Sequence, residues 1–243
     1  DWPRRGEPQY MTDHFFFHAS LAVWFAAHGH AFPAVSHVWR FEPDALFAGG
    51  LDALMAWSRA HSADVVLPRI KTQAETPKYP PFTRDPQLLA HVPASQRVWS
   101  YFVVGRYSRR FLGLMERKWA DGQIGFEEVF LPTSCANHSS AEWPCVLHGL
   151  GRGLHANGDP RADAAIVGAA HTRYRPAWDC AAFVAARERR TLDFWHPIKQ
   201  RACVADYLDG NETVVEQARR WAYVPPSPPP PRPPPPSPPL LPW

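Results

Sequence analysis

Apolar and polar positions change their period several times along this chain, and each change predicts an element. In "AVSHVWRF" the residues alternate: His37, Trp39 and Phe41 share one face, Val38 and Arg40 the other, which is the period of a strand. Glu42-Pro43 ends it, because proline cannot continue a pairing ladder. Gly49 and Gly50 then permit a tight entry into a helix with Leu51, Leu54, Met55 and Ser58 on one side. "ADVVLP" reads as a short apolar strand closed by Pro68, and the proline-rich stretch from Lys71 to Pro93 as a surface loop.

Beyond the loop, "VWSYFVVGRYS" predicts a strand running into a helix capped by Ser108, with Phe111, Leu112, Met115 and Trp119 on one stripe and Asp121-Gly122 at its end. "GFEEVFLPTSC" puts paired acids before an apolar strand or turn. "WDCAAFVAARERR" reads as a helix, "LDFWHPIK" as extended, and "NETVVEQARRWAYV" as a last helix capped by Asn211. Strands and helices in alternation predict an α/β domain, a mostly parallel sheet with flanking helices. Near the start, the run Phe15 to Ala27 is apolar all round and too short to cross a bilayer, so it predicts a buried helix and no membrane segment within this chain.

The far end differs in kind. From Pro225 the sequence "PPSPPPPRPPPPSPPLLPW" has almost no backbone donors and fixes polyproline II geometry. Two regions follow: a domain over 1–224 and a disordered proline-rich tail over 225–243, a passive spacer or a recognition segment. The tail resembles the hydroxyproline-rich glycoproteins of plants and green algae.

Composition then narrows the partners. With 45% hydrophobic residues among 243, the chain can bury a core. Its 26 basic and 23 acidic residues are interspersed without a basic stripe, so no nucleic acid partner is expected. The 4 cysteines form no CxxC pair, which excludes a zinc ribbon. Cys135 and Cys145 bracket a short polar loop and are the preferred disulfide, with buried free thiols as the rival reading. Two glycosylation sequons, Asn137-His-Ser139 and Asn211-Glu-Thr213, fit a secretory compartment.

Familiar catalytic signatures are missing: no G-x-S-x-G elbow, no HExxH and no G-x-x-x-x-G-K-[ST] loop. "HGLGRGLHANG" reads as a flexible loop, and His14 and His18 as core residues among phenylalanines. Glu42 and Asp44 stand out. Two apart in an extended chain, they can present both carboxylates to one side at the end of a strand, where open α/β sheets place ligands. Two hard oxygen donors suit Mg²⁺ or Mn²⁺; a plain turn is the competing account.

The order "VWRFEPDALFAGGLDALM", "ADVVLP", "GRYSRRFLGLMERKWADGQIGFEEVFLPTSC", "FWHPIK" resembles that of GT-A-type glycosyltransferases, including plant and algal members, from about Asp13 to Lys199. The resemblance implies a partial GT-A-like, Rossmann-like domain with a divalent cation (Mn²⁺ or Mg²⁺) and a nucleotide-sugar donor, and a glycan or glycoprotein acceptor. It implies Asp44 as metal ligand, Glu42 as ligand or ribose contact, and His196 as a further ligand. Lys199 would neutralise the leaving diphosphate, Glu128 would face the acceptor as base with Glu127 as alternative, and Arg106 could contact substrate.

Only about one helix precedes the acidic motif, whereas that fold begins with nucleotide-gripping βα units. The expectation is therefore an incomplete N-terminal half, and Golgi or secretory residence if the missing part carries an anchor. A chain with no initiator methionine and no targeting pattern is otherwise expected to be cytosolic. The alternative function is a non-catalytic cell-wall or interaction protein in which the tail matters.

Overall fold

The computed structural model describes residues 21, 23–42, 44–78, 90–123, 125–138, 143–150, 167–173, 176–200 and 203. The chain divides into two units, Asp1–Arg201 and Ala202–Trp243, and the elements below belong to the first. The helix expected at Asn211, the proline tail, His14, His18 and most of "HGLGRGLHANG" lie outside the described residues.

Nine strands form three small sheets among the described residues. They are β1 (His37–Phe41), β2 (Leu46–Phe47), β3 (Val65–Pro68), β4 (Lys71–Thr72), β5 (Val98–Trp99), β6 (Val104–Ser108), β7 (Leu147–Leu150), β8 (Gly168–Thr172) and β9 (Asp193–His196). The helices are α1 (Leu51–Ala60), α2 (Arg109–Ala120), α3 (Glu127–Ala136) and α4 (Cys180–Glu188), besides a helical stretch over 23–28.

The expected mostly parallel, Rossmann-like sheet is not what forms. The largest sheet has the order β1-β6-β3-β7, with β1 and β3 both antiparallel to β6 and only β7 parallel to β3. A second sheet runs β2-β9-β8, antiparallel then parallel, and β4 pairs with β5 antiparallel. Alternating strand and helix signals describe each segment's own period, not its partner. Here β1 and β3 flank β6, a strand that follows them in sequence and runs the opposite way. The right-handed crossover that makes a sheet parallel is therefore bypassed at the centre.

The core lies on both faces of the large sheet. On one, Phe47, Leu54, Val66, Val104, Ala169 and Phe194 join α1 and the second sheet to it. On the other, Val65, Leu67 and Tyr107 meet Phe111, Leu112 and Met115 of α2 and Leu131 of α3. β3 is buried along its whole length, which is why "VVLP" shows an apolar run and no alternation.

Three local expectations change. "VWSYFVVGRYS" is two strands, β5 and β6, with residues 100–103 between them. "EEVFLPTSC" is helical despite Pro132. Proline removes the N–H that would bond the carbonyl four residues back, at Glu128. That carbonyl accepts from the N–H of Ser100 at 2.9 Å, so the helix passes through the proline with no orphaned acceptor. Finally, Val23 and Trp24 of the first helical stretch are 53% and 41% exposed, so its described turns are not the buried helix expected.

Other ends form as their residues dictate. Ser108 caps α2 by accepting from Phe111 N–H at 3.1 Å, and Gly122, at φ 73°, takes the left-handed position that ends it. Ser108 Oγ also donates to Asp64 Oδ1 at 2.7 Å. Burial opposes charge on Asp64, yet bonds from Arg110, Val146 N–H, Ser108 and Trp143 hold its carboxyl below the usual range.

Cys135 and Cys145 form a disulfide, and Cys180 and Cys203 are disulfide-bonded too. These bonds point to an extracellular or secretory protein. No helix among the described residues is long and apolar enough to cross a membrane.

Candidate metal centre

Three side chains converge where β1 and β9 end. Each of Glu42, Asp44 and His196 offers one donor atom, and the three atoms lie within 4.8 Å of one another. The acids meet through a turn, not through the pleat of an extended strand. β1 stops at Phe41, and Ala45 N–H closes back on the Glu42 carbonyl at 2.9 Å. This is a four-residue β-turn closed from i to i+3, with Glu42 and Asp44 as its first and third residues. The turn is docked at both ends: Glu42 N–H donates to Val103 O at 2.9 Å, and Ile198 N–H to Asp44 O at 3.0 Å.

His196 is the last residue of β9, paired with Thr172 of β8 and almost fully buried. Its Nδ1 lies 2.8 Å from the Arg173 carbonyl, which can only accept, so Nδ1 carries a proton. Nε2 then faces Glu42 Oε2 at 3.1 Å and Asp44 Oδ1 at 3.4 Å. A neutral imidazole so oriented would direct a lone pair at two carboxylate oxygens. Only a proton on Nε2 or a cation among the three atoms reconciles them. Lys199 Nζ adds a charge from the exposed side by pairing with Asp44 Oδ2.

The three donor atoms, within 4.8 Å of one another, are spaced on the scale of ligands about a cation whose bonds are about 2.1 Å long. Two carboxylates and one imidazole suit Mn²⁺ or Mg²⁺ and leave coordination positions for water or substrate oxygens.

The acids of α3 stand behind this cluster. Glu127 and Glu128 are both buried, in the first turn of the helix, where the dipole favours negative charge. Burial pushes the Glu128 carboxyl up to about 8; the negative charge of Glu42 adds to this, and a backbone hydrogen bond from Phe102 opposes it. Arg40 links the two groups. Its guanidinium lies 4.1 Å over the Phe102 ring, donates to the Phe102 carbonyl, and comes within 4.0 Å of Glu42. Its charge also acts on Glu127.

Of the residues singled out from the sequence, Glu42, Asp44, His196 and Lys199 share this place, and Glu128 is electrostatically coupled to Glu42. Arg106 is elsewhere. It is fully buried in β6 and gives its guanidinium hydrogens to the carbonyls of His61, at 2.6 Å, and Ala63, which makes it a brace for that connection. Arg40 was missed. Its signal was the two-residue period itself, which puts Arg40 on one face of β1 with Val38, two residues before Glu42.

Comparison with known proteins gives no match: no family profile fits the chain, and neither a curated protein nor a solved structure is similar to it.

Proposed function

We propose that the chain is a metal-dependent glycosyltransferase of the secretory pathway or Golgi, transferring a sugar from a nucleotide-sugar to a glycan or glycoprotein acceptor. The parallel GT-A-like sheet is no part of this reading. What carries it is the meeting of Glu42, Asp44 and His196, with the His196 Nε2 lone pair aimed between the two acids.

In this reading these three residues hold Mn²⁺ or Mg²⁺, and the bound ion supplies charge stabilisation for a departing diphosphate. Lys199, next to Asp44 and largely exposed, adds a positive charge on the solvent side. In this reading Glu128 is the base for the attacking acceptor hydroxyl; because its carboxyl is pushed up to about 8, it takes that proton only after losing its own, so transfer should rise with pH toward that value. Arg40 sets a positive charge within 4.0 Å of Glu42, and that charge also acts on Glu127.

Titration calorimetry with Mn²⁺ tests the cation site, followed by nucleotide-sugar in the presence and absence of Mn²⁺. The expected result is binding of Mn²⁺ that is lost in Asp44→Ala, and nucleotide-sugar binding that requires Mn²⁺. Unchanged Mn²⁺ binding in the variant removes the site. Cation binding without any nucleotide-sugar binding removes the transferase.

A second reading has its own observation. Lys199 and a protonated His196 already balance Glu42 and Asp44, so the cluster can serve as a latch between β1 and β9 in a non-catalytic cell-wall or interaction protein. That reading expects chelators and Mn²⁺ to leave stability unchanged, and removal of 225–243 to abolish wall or partner association.

A further inference from the structure

We propose that the cleft at the start of β1 is a second binding site, for an organic phosphate monoester. It lies at the other end of the strand from the cation cluster: His37 lines the cleft and opens β1, and Phe41 closes the strand roughly 13 Å further on, at about 3.3 Å per residue. The cleft holds about 550 Å³, room for a small organic molecule. None of its residues belongs to the cluster of Glu42, Asp44 and His196, so this inference stands or falls apart from the proposed function.

The lining combines two chemistries. Pro33, Ala34 and Val35 are apolar, whereas Ser36, Ser62, Arg109 and Arg110 bring hydroxyls and positive charge. Asp64 is the only acid in that lining, and both its oxygens are taken: Oδ1 accepts from Ser108 Oγ and Arg110 Nε, Oδ2 from Arg110 Nη2, Trp143 Nε1 and Val146 N–H. Arg109 instead gives its guanidinium hydrogens to neutral carbonyls, Phe32 O at 3.1 Å and Gly29 O at 3.0 Å, which leave its charge uncancelled. His37 registers the resulting field. Burial and the charges of Arg106 and Arg110 hold its imidazole below the usual range, against a bond to the Ala63 backbone and the charge of Asp64.

Arg106, Arg109 and Arg110 against Asp64 leave an excess of two positive charges at this place. A phosphate monoester, with a charge of about −1.5 to −2 at neutral pH and three accepting oxygens, answers that excess; a single carboxylate does not. Ser62 Oγ and Arg110 Nη1 have no protein partner among the described residues and supply the donors. Pro33, Ala34 and Val35 give the organic body a surface to pack on.

The test is titration calorimetry of the full chain, without divalent cation, using phenyl phosphate and inorganic phosphate. Phenyl phosphate should bind about tenfold or more tightly than inorganic phosphate, because the ring removes apolar surface from water. Ser62→Asp, which adds a carboxylate at an exposed position of the lining, should weaken phenyl phosphate by about tenfold or more. Asp44→Ala should bind it like the wild type. No saturable binding of phenyl phosphate below about 1 mM overturns the proposal. So does equal affinity for the two probes, or affinity unchanged by Ser62→Asp. Loss of phenyl phosphate binding in Asp44→Ala would put the ligand at the cation cluster and overturn it as well.

Discussion

The Asp44 carboxylate faces His196 through Oδ1 and accepts a hydrogen bond from Lys199 Nζ through Oδ2. Asp44→Asn keeps the shape and removes the charge. Mn²⁺ affinity should fall by about tenfold or more, equivalent to about 1.4 kcal/mol, since the amide oxygen that remains carries no charge. Electron paramagnetic resonance of free Mn²⁺ during titration reads this directly.

Glu128 makes a prediction of opposite sign to that of most acids. Its folded pKa, about 8, lies above the unfolded value of about 4.5, so the folded state binds the extra proton between those limits. Its contribution is most favourable below the lower value and is lost as pH rises through the upper one. Glu128→Gln, always neutral, should leave stability near pH 5 almost unchanged and raise it near pH 9 by up to a few kcal/mol. Denaturant melts at the two pH values check this. Equal effects at both would place the carboxyl in contact with water.

At the scale of elements, the helix caps and the tightest strand contact were of unequal visibility in the sequence. Ser108 was legible because a small hydroxyl residue before an apolar stripe has few other uses. Its removal costs two bonds, to Phe111 N–H and to Asp64, so Ser108→Ala should lose roughly 1–3 kcal/mol by chemical denaturation. Gly105 was not legible. A Cβ there would overlap the Tyr107 hydroxyl, and Tyr107 is wholly buried, so Gly105→Ala should cost about 1–3 kcal/mol through overpacking. Melting like the wild type would show that the ring can move aside. α3 was hidden for a related reason: Pro132 marks a break in any local account, and only the N–H of Ser100, supplied by another segment, makes a helix there acceptable.

For the molecule as a whole, local period identified most of the segments and gave no information on how they pair. β1, α1, α2, α4 and β9 each follow from their own residues, but β6 lies between β1 and β3 because of contacts that no window of sequence contains. The cluster shows the same division. Glu42, Asp44 and His196 could be named as metal-binding types, whereas the turn that joins the acids and the carbonyl that orients the imidazole are tertiary facts. At this scale, Mn²⁺ at 100 times its dissociation constant should stabilise the fold by about 2.7 kcal/mol, visible as a higher melting temperature that a chelator reverses. Replacing both Cys135 and Cys145 by Ala should cost about 3 kcal/mol, given the short loop they close.

Lys199 meets Asp44 across 155 positions of chain. During synthesis, the two carboxylates therefore leave the ribosome long before the imidazole and the ammonium that balance them, and until then the acidic corner has Arg40 but neither of those groups beside it. A chain released early, short of β9, would keep that corner for good. Its acids would be open to any cation or basic chaperone surface nearby, and capture of such truncated products should distinguish them from the finished protein.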